Sequence, residues 1–304
     1  MHHPVLLTES IAALITDPQG CYIDATFGRG GHSCAILEKL QAPGKLIVMD
    51  KDPEAIAVAK DLQAQGLPII PVHGSFAQLQ RVVEELGLQG KISGVLFDLG
   101  VSSPQLDNAA RGFSFMREGP LDMRMDPTSG QSAADFIAIV KEETLSDIIK
   151  NYGEERFAKR IAHAICEARH VARIETSTQL AQIIKTAMPR YEKHKHPATR
   201  TFQAIRIYIN QELEDLSQGL QAAFEVMGSG GRLVVISFHS LEDRIVKQWM
   251  RKLAKGVTVP SYIPIRAQEV NTPLKIMRKC VPSALECAEN NRARSALMRV
   301  AEKI

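Results

Sequence analysis

The chain has 304 residues, 45% of them hydrophobic, and a formal net charge of +3, enough apolar material to bury one large core or two smaller ones. No apolar run approaches the ~20 residues that cross a bilayer, and Met1-His2-His3-Pro4 has neither a basic region nor a small-residue cleavage site, so a cytoplasmic protein is expected. Five cysteines (21, 34, 166, 280 and 287), an odd number without a Cys-x-x-Cys, read as reduced thiols and speak against a zinc site; no metal is expected.

The small net charge conceals an asymmetry. Residues 1–155 carry 12 Lys/Arg against 21 acids, whereas residues 156–304 carry 25 against 13. A polyanion lying against the second half accounts for that division, as does a solvated charged surface.

In chain order, the first apolar run is 21–25. It leads into Asp24-Ala-Thr-Phe-Gly-Arg-Gly-Gly-His32 and a helical stretch at 33–40. The next run, 45–49, ends on an acid, Asp50, 22 residues after Gly28. Strand, glycine turn, helix and strand-end acid are the parts of a nucleotide crevice: glycines let the backbone approach a ligand, and the acid accepts hydrogen bonds from ribose hydroxyls. The turn is not a dinucleotide fingerprint, because Ser33 stands where the third glycine of G-x-G-x-x-G belongs. A single adenosine with a short tail fits better, which points to S-adenosylmethionine. His32, at the helix start, is read either as a cap or packed side chain or as a ligand contact beside Gly30 and Gly31.

A helix at 53–65 with proline in its first turn follows, then a strand at 67–72, a helix at 76–86 and a strand at 92–99. Together these form a βαβαβαβ half of a doubly wound parallel sheet. Its fourth strand runs into Asp98-Leu-Gly-Val-Ser-Ser-Pro-Gln105, where ligands of such sheets sit. Asp98 either caps this loop or accepts hydrogen bonds from a target amine. The loop has no cysteine, the nucleophile that methylation of a pyrimidine carbon usually needs. An exocyclic nitrogen needs only orientation, desolvation and alignment behind the methyl group.

From 104 to 211 no convincing strand occurs. A Pro/Gly/Met/Arg-rich connection at 104–130 is too long for an ordinary loop. Helical patterns follow at 156–170, at 177–188 with Thr178 as its cap, and in one long helix at 199–227. Residues 156–206 hold 11 Lys/Arg against 3 acids, with Arg156, Lys159, Arg160, Lys193, Lys195 and Arg200 the candidate phosphate contacts. Tyr191, Phe113, Phe115 and Phe202 are candidate stacking groups, although Phe202 lies on an apolar helix face and suits a core. The strand pattern resumes at 230–238, with a helix to 253 and weaker strands at 274–279 and 295–301. One sheet domain (1–104 and 212–304) with an inserted helical domain (105–211) is the economical reading.

With these residues in view, the chain resembles the bacterial small-subunit ribosomal RNA cytosine-N4 methyltransferases of the RsmH or MraW type. The likeness rests on His3-Pro-Val-Leu-Leu-Thr-Glu9, 24–32, 98–107, Arg111-Gly-Phe-Ser-Phe115, 120–126, Tyr152-Gly-Glu-Glu-Arg156, His196-Pro-Ala-Thr-Arg-Thr-Phe-Gln203, 237–244 and 291–295, which span nearly the whole chain. It implies an α/β class I methyltransferase (Rossmann-like) fold, a seven-stranded mostly parallel sheet with an inserted all-helical domain. The implied donor is S-adenosyl-L-methionine, yielding S-adenosyl-L-homocysteine. The implied acceptor is a cytidine near the P site of 16S rRNA, within the small ribosomal subunit or a late assembly intermediate; no membrane is involved, and a homodimer is allowed. Carried over by position, Gly30, Gly31 and His32 lie near the methionine part, Asp50 on the ribose and Phe76 by the adenine, with Asp98 and Gln105 completing the pocket. The Asp/Asn/Ser-Pro-Pro-aromatic motif of other amino-methyltransferases is absent, and 98–105 stands in its place. The reaction expected is an in-line transfer without metal or covalent intermediate, with Asp98, and then Ser102 or Ser103, as the amine's acceptor. A DNA or protein methyltransferase, a non-catalytic RNA-binding assembly factor and a dinucleotide oxidoreductase are the rival readings.

Overall fold

The computed structural model describes residues 4–190, 196–256 and 272–304. Lys193 and Lys195, with Tyr191 and His3, lie outside the described residues. In chain order the elements are α1 (Leu7–Leu14), β1 (Cys21–Asp24), α2 (Gly31–Leu37), β2 (Lys45–Asp50), α3 (Pro53–Ala64), β3 (Ile69–His73), α4 (Leu79–Glu85) and β4 (Ile92–Asp98). Then come α5 (Ser103–Asp107), α6 (Ala133–Ile139), α7 (Glu142–Gly153), α8 (Ala158–Val171), α9 (Ser177–Ala187), α10 (Thr199–Asn210), α11 (Glu212–Val226), β5 (Met227–Ser237), α12 (Ser240–Lys255), β6 (Leu274–Cys280), α13 (Ala284–Glu289) and β7 (Leu297–Lys303). The chain divides into two compact units, residues 1–100 with 213–304, and residues 101–212.

The first unit is built on one seven-stranded sheet in the order β3-β2-β1-β4-β5-β7-β6. β1 to β5 pair in parallel, and β7 runs antiparallel between β5 and β6. The continuous apolar runs follow from this position, because a strand covered on both faces must be apolar at every residue. Alternate residues serve alternate faces. Ile47, Met49, Val95, Phe97, Leu233 and Val235 belong to one core, and Leu46, Val48, Leu96, Val234 and Ile236 to the other. Strand order reverses between β1 and β4, which is where open α/β sheets leave a crevice at their carboxyl ends. Asp52 caps α3 by accepting from the Glu54 amide at 3.0 Å, with Pro53 at the first helical position.

The second unit contains helices and no strand among the described residues. Its core gathers Phe113, Leu121, Met123, Phe136, Ile137, Leu145, Ile149, Ile161, Ile165, Leu180, Ile184, Phe202 and Ile205. The long connection is ordered by two buried polar side chains. Arg111 donates to the carbonyls of Arg124 (3.1 Å) and Met125 (2.8 Å), and Asn210 donates to the Met123 carbonyl (2.8 Å) while accepting from the Met125 amide (2.7 Å).

Two expectations are corrected. The long helix at 199–227 is two helices, broken where Gln211 adopts φ 53° and Asn210 turns its amide to the Arg206 and Met123 carbonyls. The apolar period runs through the break because Phe202 and Ile205 fill the helical core while Leu216 and Leu220 fill the sheet core. The cap of α9 is Thr176, not Thr178: its hydroxyl accepts from the Gln179 amide at 3.2 Å, and the Gln179 side chain accepts from the Thr176 amide at 3.1 Å. The strands at both weaker positions are present as β6 and β7.

Candidate active site

The glycine turn joins β1 to α2, and two of its glycines have left-handed backbones, Gly28 at φ 57° and Gly30 at φ 80°. Gly31 is required for a different reason, since a Cβ there would collide with the Pro4 ring. The turn is tied to β2 by Asp50, whose Oδ2 accepts from the Gly28 amide (2.7 Å) and whose Oδ1 accepts from the Asp52 amide (2.8 Å). Each Asp50 oxygen therefore keeps a lone pair for a further donor.

Asp24, at the end of β1, was not among the expected site residues. It is buried, its Oδ2 accepts from the Ser33 hydroxyl (2.6 Å), and its Oδ1 accepts from the Thr26 amide (3.1 Å). Ser33, conspicuous in the sequence as a missing glycine, is thus the partner of a buried acid. The sequence shows only that an acid closes this strand before a glycine turn; the burial and the Ser33 contact that set it apart come from the fold. Thr26 in turn accepts from the Asp98 amide through its hydroxyl (2.7 Å), linking the ends of β1 and β4.

Asp98 closes β4 with about a quarter of its side chain exposed (26%). Its Oδ1 is buried and has no hydrogen-bond partner among the described residues. Its Oδ2 lies 3.5 Å from Nδ1 of His32, a residue only 5% exposed whose Nε2 meets the Val5 carbonyl at 3.2 Å. Phe76, in a 3-10 turn before α4, stands edge-on to Phe97 (5.3 Å, 85°) and packs where a Cβ on Gly219 would intrude. Ser237, at the end of β5, has a buried hydroxyl with no hydrogen-bond partner among the described residues. Glu242 caps the same region from α12, accepting from the Phe238 amide at 2.8 Å.

The electrostatics are one-sided. Burial raises the carboxyls of Asp24 and Asp50 to about 6, with mutual repulsion adding to that of Asp24. Burial, and then the charges of Asp24 and Glu242, holds Asp98 well above the ordinary carboxylate range. Burial lowers His32 to about 4, so its ring is neutral at pH 7. Among the described residues none of the three acids is ion-paired to Lys or Arg; Lys51 is committed to Asp215 and Arg29 to Glu54. Such a site is suited to a cation.

The remaining expected residues lie in the other unit. Ser102 precedes α5 and donates its amide to Gln105 Oε1 at 2.9 Å; Ser103 is the first residue of that helix, and Gln105 is buried. Arg156 is exposed with its guanidinium 4.5 Å from the Phe157 ring centroid, and Lys159 and Arg160 are exposed on α8. Arg200 donates to the Glu154 carbonyl at 3.0 Å.

A mostly parallel seven-stranded sheet in the order β3-β2-β1-β4-β5-β7-β6, with a glycine turn, an acid at the end of β2 and a full-length match to a methylase family, makes this a class I methyltransferase with a Rossmann-like fold. The match is continuous: the MraW methylase family model covers residues 1–304, and the chain belongs to that family. Among its relatives, the ribosomal RNA small subunit methyltransferase H of Pseudoalteromonas atlantica is 53% identical over 306 residues, covering 100% of this chain and 98% of the relative. The protein of the same name from Chromohalobacter salexigens is 53% identical over 305 residues, covering 100% of this chain and 92% of the relative.

Proposed function

We propose that this enzyme methylates the exocyclic N4 of a cytidine near the P site of 16S ribosomal RNA, with S-adenosylmethionine as donor. The observation that carries the chemistry is the Asp98 carboxyl, one oxygen buried and without a hydrogen-bond partner among the described residues, at the strand end beside the glycine turn. Family membership and two full-length relatives named for small-subunit rRNA methylation support the choice of acceptor. Residues 1–104 and 212–304 are assigned to the cofactor, and 105–211, with their basic surface, to the RNA. The setting is the cytoplasm, and the acceptor particle is the small subunit or a late assembly intermediate.

The residues fit the donor. Gly30, Gly31 and His32 are assigned to its methionine part, Asp50 to the ribose and Phe76 to the adenine, while the uncompensated acids suit its positive charge. When bound, S-adenosylmethionine supplies an electrophilic methyl group and departs as S-adenosylhomocysteine. The chain's own work lies on the amine side. Asp98 accepts a hydrogen bond from the N4 amine, drawing its lone pair out of conjugation with the ring, and takes the proton released as the N–C bond forms. Burial, with the charges of Asp24 and Glu242, raises this carboxyl above the ordinary carboxylate range, which makes its ionised form a stronger proton acceptor. The segment 98–105 offers no cysteine for a covalent adduct with the ring. The cytosine leaves any stack to react, which favours a partly assembled particle over naked duplex.

A panel of acceptors offered with labelled S-adenosylmethionine tests the reading. Incorporation into small-subunit RNA is expected; incorporation only into DNA or protein would overturn the acceptor and leave the donor.

A further inference from the structure

Two sequence motifs of the helical unit, 111–115 and 196–203, have no part in the chemistry above. The fold brings their rings together. Phe115 and His196 stack with centroids 4.4 Å apart and planes 20° from parallel. The other side of this arrangement is fixed by Phe202, edge-on to Phe115 at 5.0 Å and 80°. The three rings step outward from core to solvent: Phe202 is 4% exposed, Phe115 is half-buried, and His196 is exposed.

The imidazole is held in place. Its Nδ1 accepts from the Ala198 amide at 3.2 Å, which puts the ring proton on Nε2. Partial burial, and then the charge of Lys185, lowers its pKa, so the ring is neutral at pH 7. Met116, next after Phe115, is 78% exposed, adding an apolar side chain. An oriented aromatic ring presented to solvent, in a segment with 11 Lys/Arg against 3 acids, is the composition of a single-stranded nucleic-acid contact: cations for phosphates and a π-face for a base.

We propose that the solvent face of His196, backed by Phe115, is a stacking platform for an unpaired base of the RNA substrate. This rests on the rRNA reading above and adds a base-binding site to it. Stacking is tolerant of base identity, so the platform contributes affinity and holds the strand splayed rather than selecting a sequence.

The test uses the full chain and small ribosomal subunits lacking the modification, with affinity measured across a salt series. His196→Phe keeps a ring on Phe115; His196→Leu keeps apolar packing without a π-face; His196→Ala removes both. Expected are affinities weakened on the order of tenfold for the Ala and Leu variants, retention for the Phe variant, unchanged cofactor affinity, and an unchanged slope of log affinity against log salt. Wild-type affinity in the Ala and Leu variants overturns the platform, as does a Phe variant as weak as Ala or a loss that appears as a reduced salt slope. A wild-type protein with no saturable binding to the subunit overturns the rRNA reading itself, and the platform with it.

Discussion

His32 and Asp98 face each other across 3.5 Å, and the tautomer of the histidine is settled from its other side. The Val5 carbonyl at 3.2 Å from Nε2 can only accept, so Nε2 carries the proton and Nδ1 presents a lone pair to Asp98. A neutral imidazole offers no positive charge to hold Asp98 ionised, which leaves that carboxyl free to rise and to gain or lose a proton during a reaction. Asp98→Asn keeps the shape and removes the proton acceptor. Turnover at saturating cofactor is expected to fall by about 10²-fold or more; full turnover would remove Asp98 from the proton step.

Cofactor affinity is expected to climb with pH. Asp24 and Asp50 titrate at about 6, and Asp98 is displaced in the same direction. A cationic ligand prefers the ionised carboxyls, so binding at pH 6 drives protons off them. Calorimetry in buffers of different ionisation enthalpy should register that release, with tighter binding at pH 8 than at pH 5. Proton uptake, or binding that strengthens in acid, contradicts the assignment of these acids to the pocket.

Stability carries two opposing pH dependences. The raised carboxyls of Asp24 and Asp50 contribute fully below their ordinary value of 3.8, and that contribution is lost as pH rises through about 6. His32, lowered from 6.5 to about 4, contributes above 6.5 and loses that contribution as pH falls through 4. His32→Gln removes only the second dependence. In denaturant melts without cofactor, its midpoint should gain more than that of the wild type on going from pH 6.5 to pH 4.5. An equal or smaller gain would place the buried titration elsewhere.

The basic face of α8 should show itself through salt. Lys159 and Arg160 are exposed, and each phosphate contact contributes a slope of about −0.7 to −0.9 to log affinity against log salt. The double variant Lys159→Gln/Arg160→Gln is expected to flatten the slope by about 1 to 2. A slope equal to that of the wild type would remove this face from the RNA interface.

Much of this molecule is legible in its sequence where burial is two-sided. The runs around Ile23, Leu46–Met49 and Val95–Phe97 are apolar at every position because both faces of the sheet are covered. The glycine turn and Asp50 were legible through their spacing, and here Asp50 holds the turn by accepting from the Gly28 amide. Three features were not. Asn210 ends α10 through bonds to residues about 85 positions earlier, and no local period reports such a partner. Thr176 and Thr178 are equally able to cap, and the choice depends on the reach of Gln179. Asp24 reads locally as one more strand end; its importance comes from burial beside Ser33 and from strand order, which the sequence does not display.

The most direct test is nucleoside analysis of small-subunit RNA after methyl transfer from S-adenosylmethionine to particles from a strain deleted for this protein. N4-methylcytidine at a single position is the predicted product, and it should vanish with Asp98→Asn. A methylated carbon, a methylated ribose or an unmodified RNA in the presence of bound cofactor would contradict the central claim.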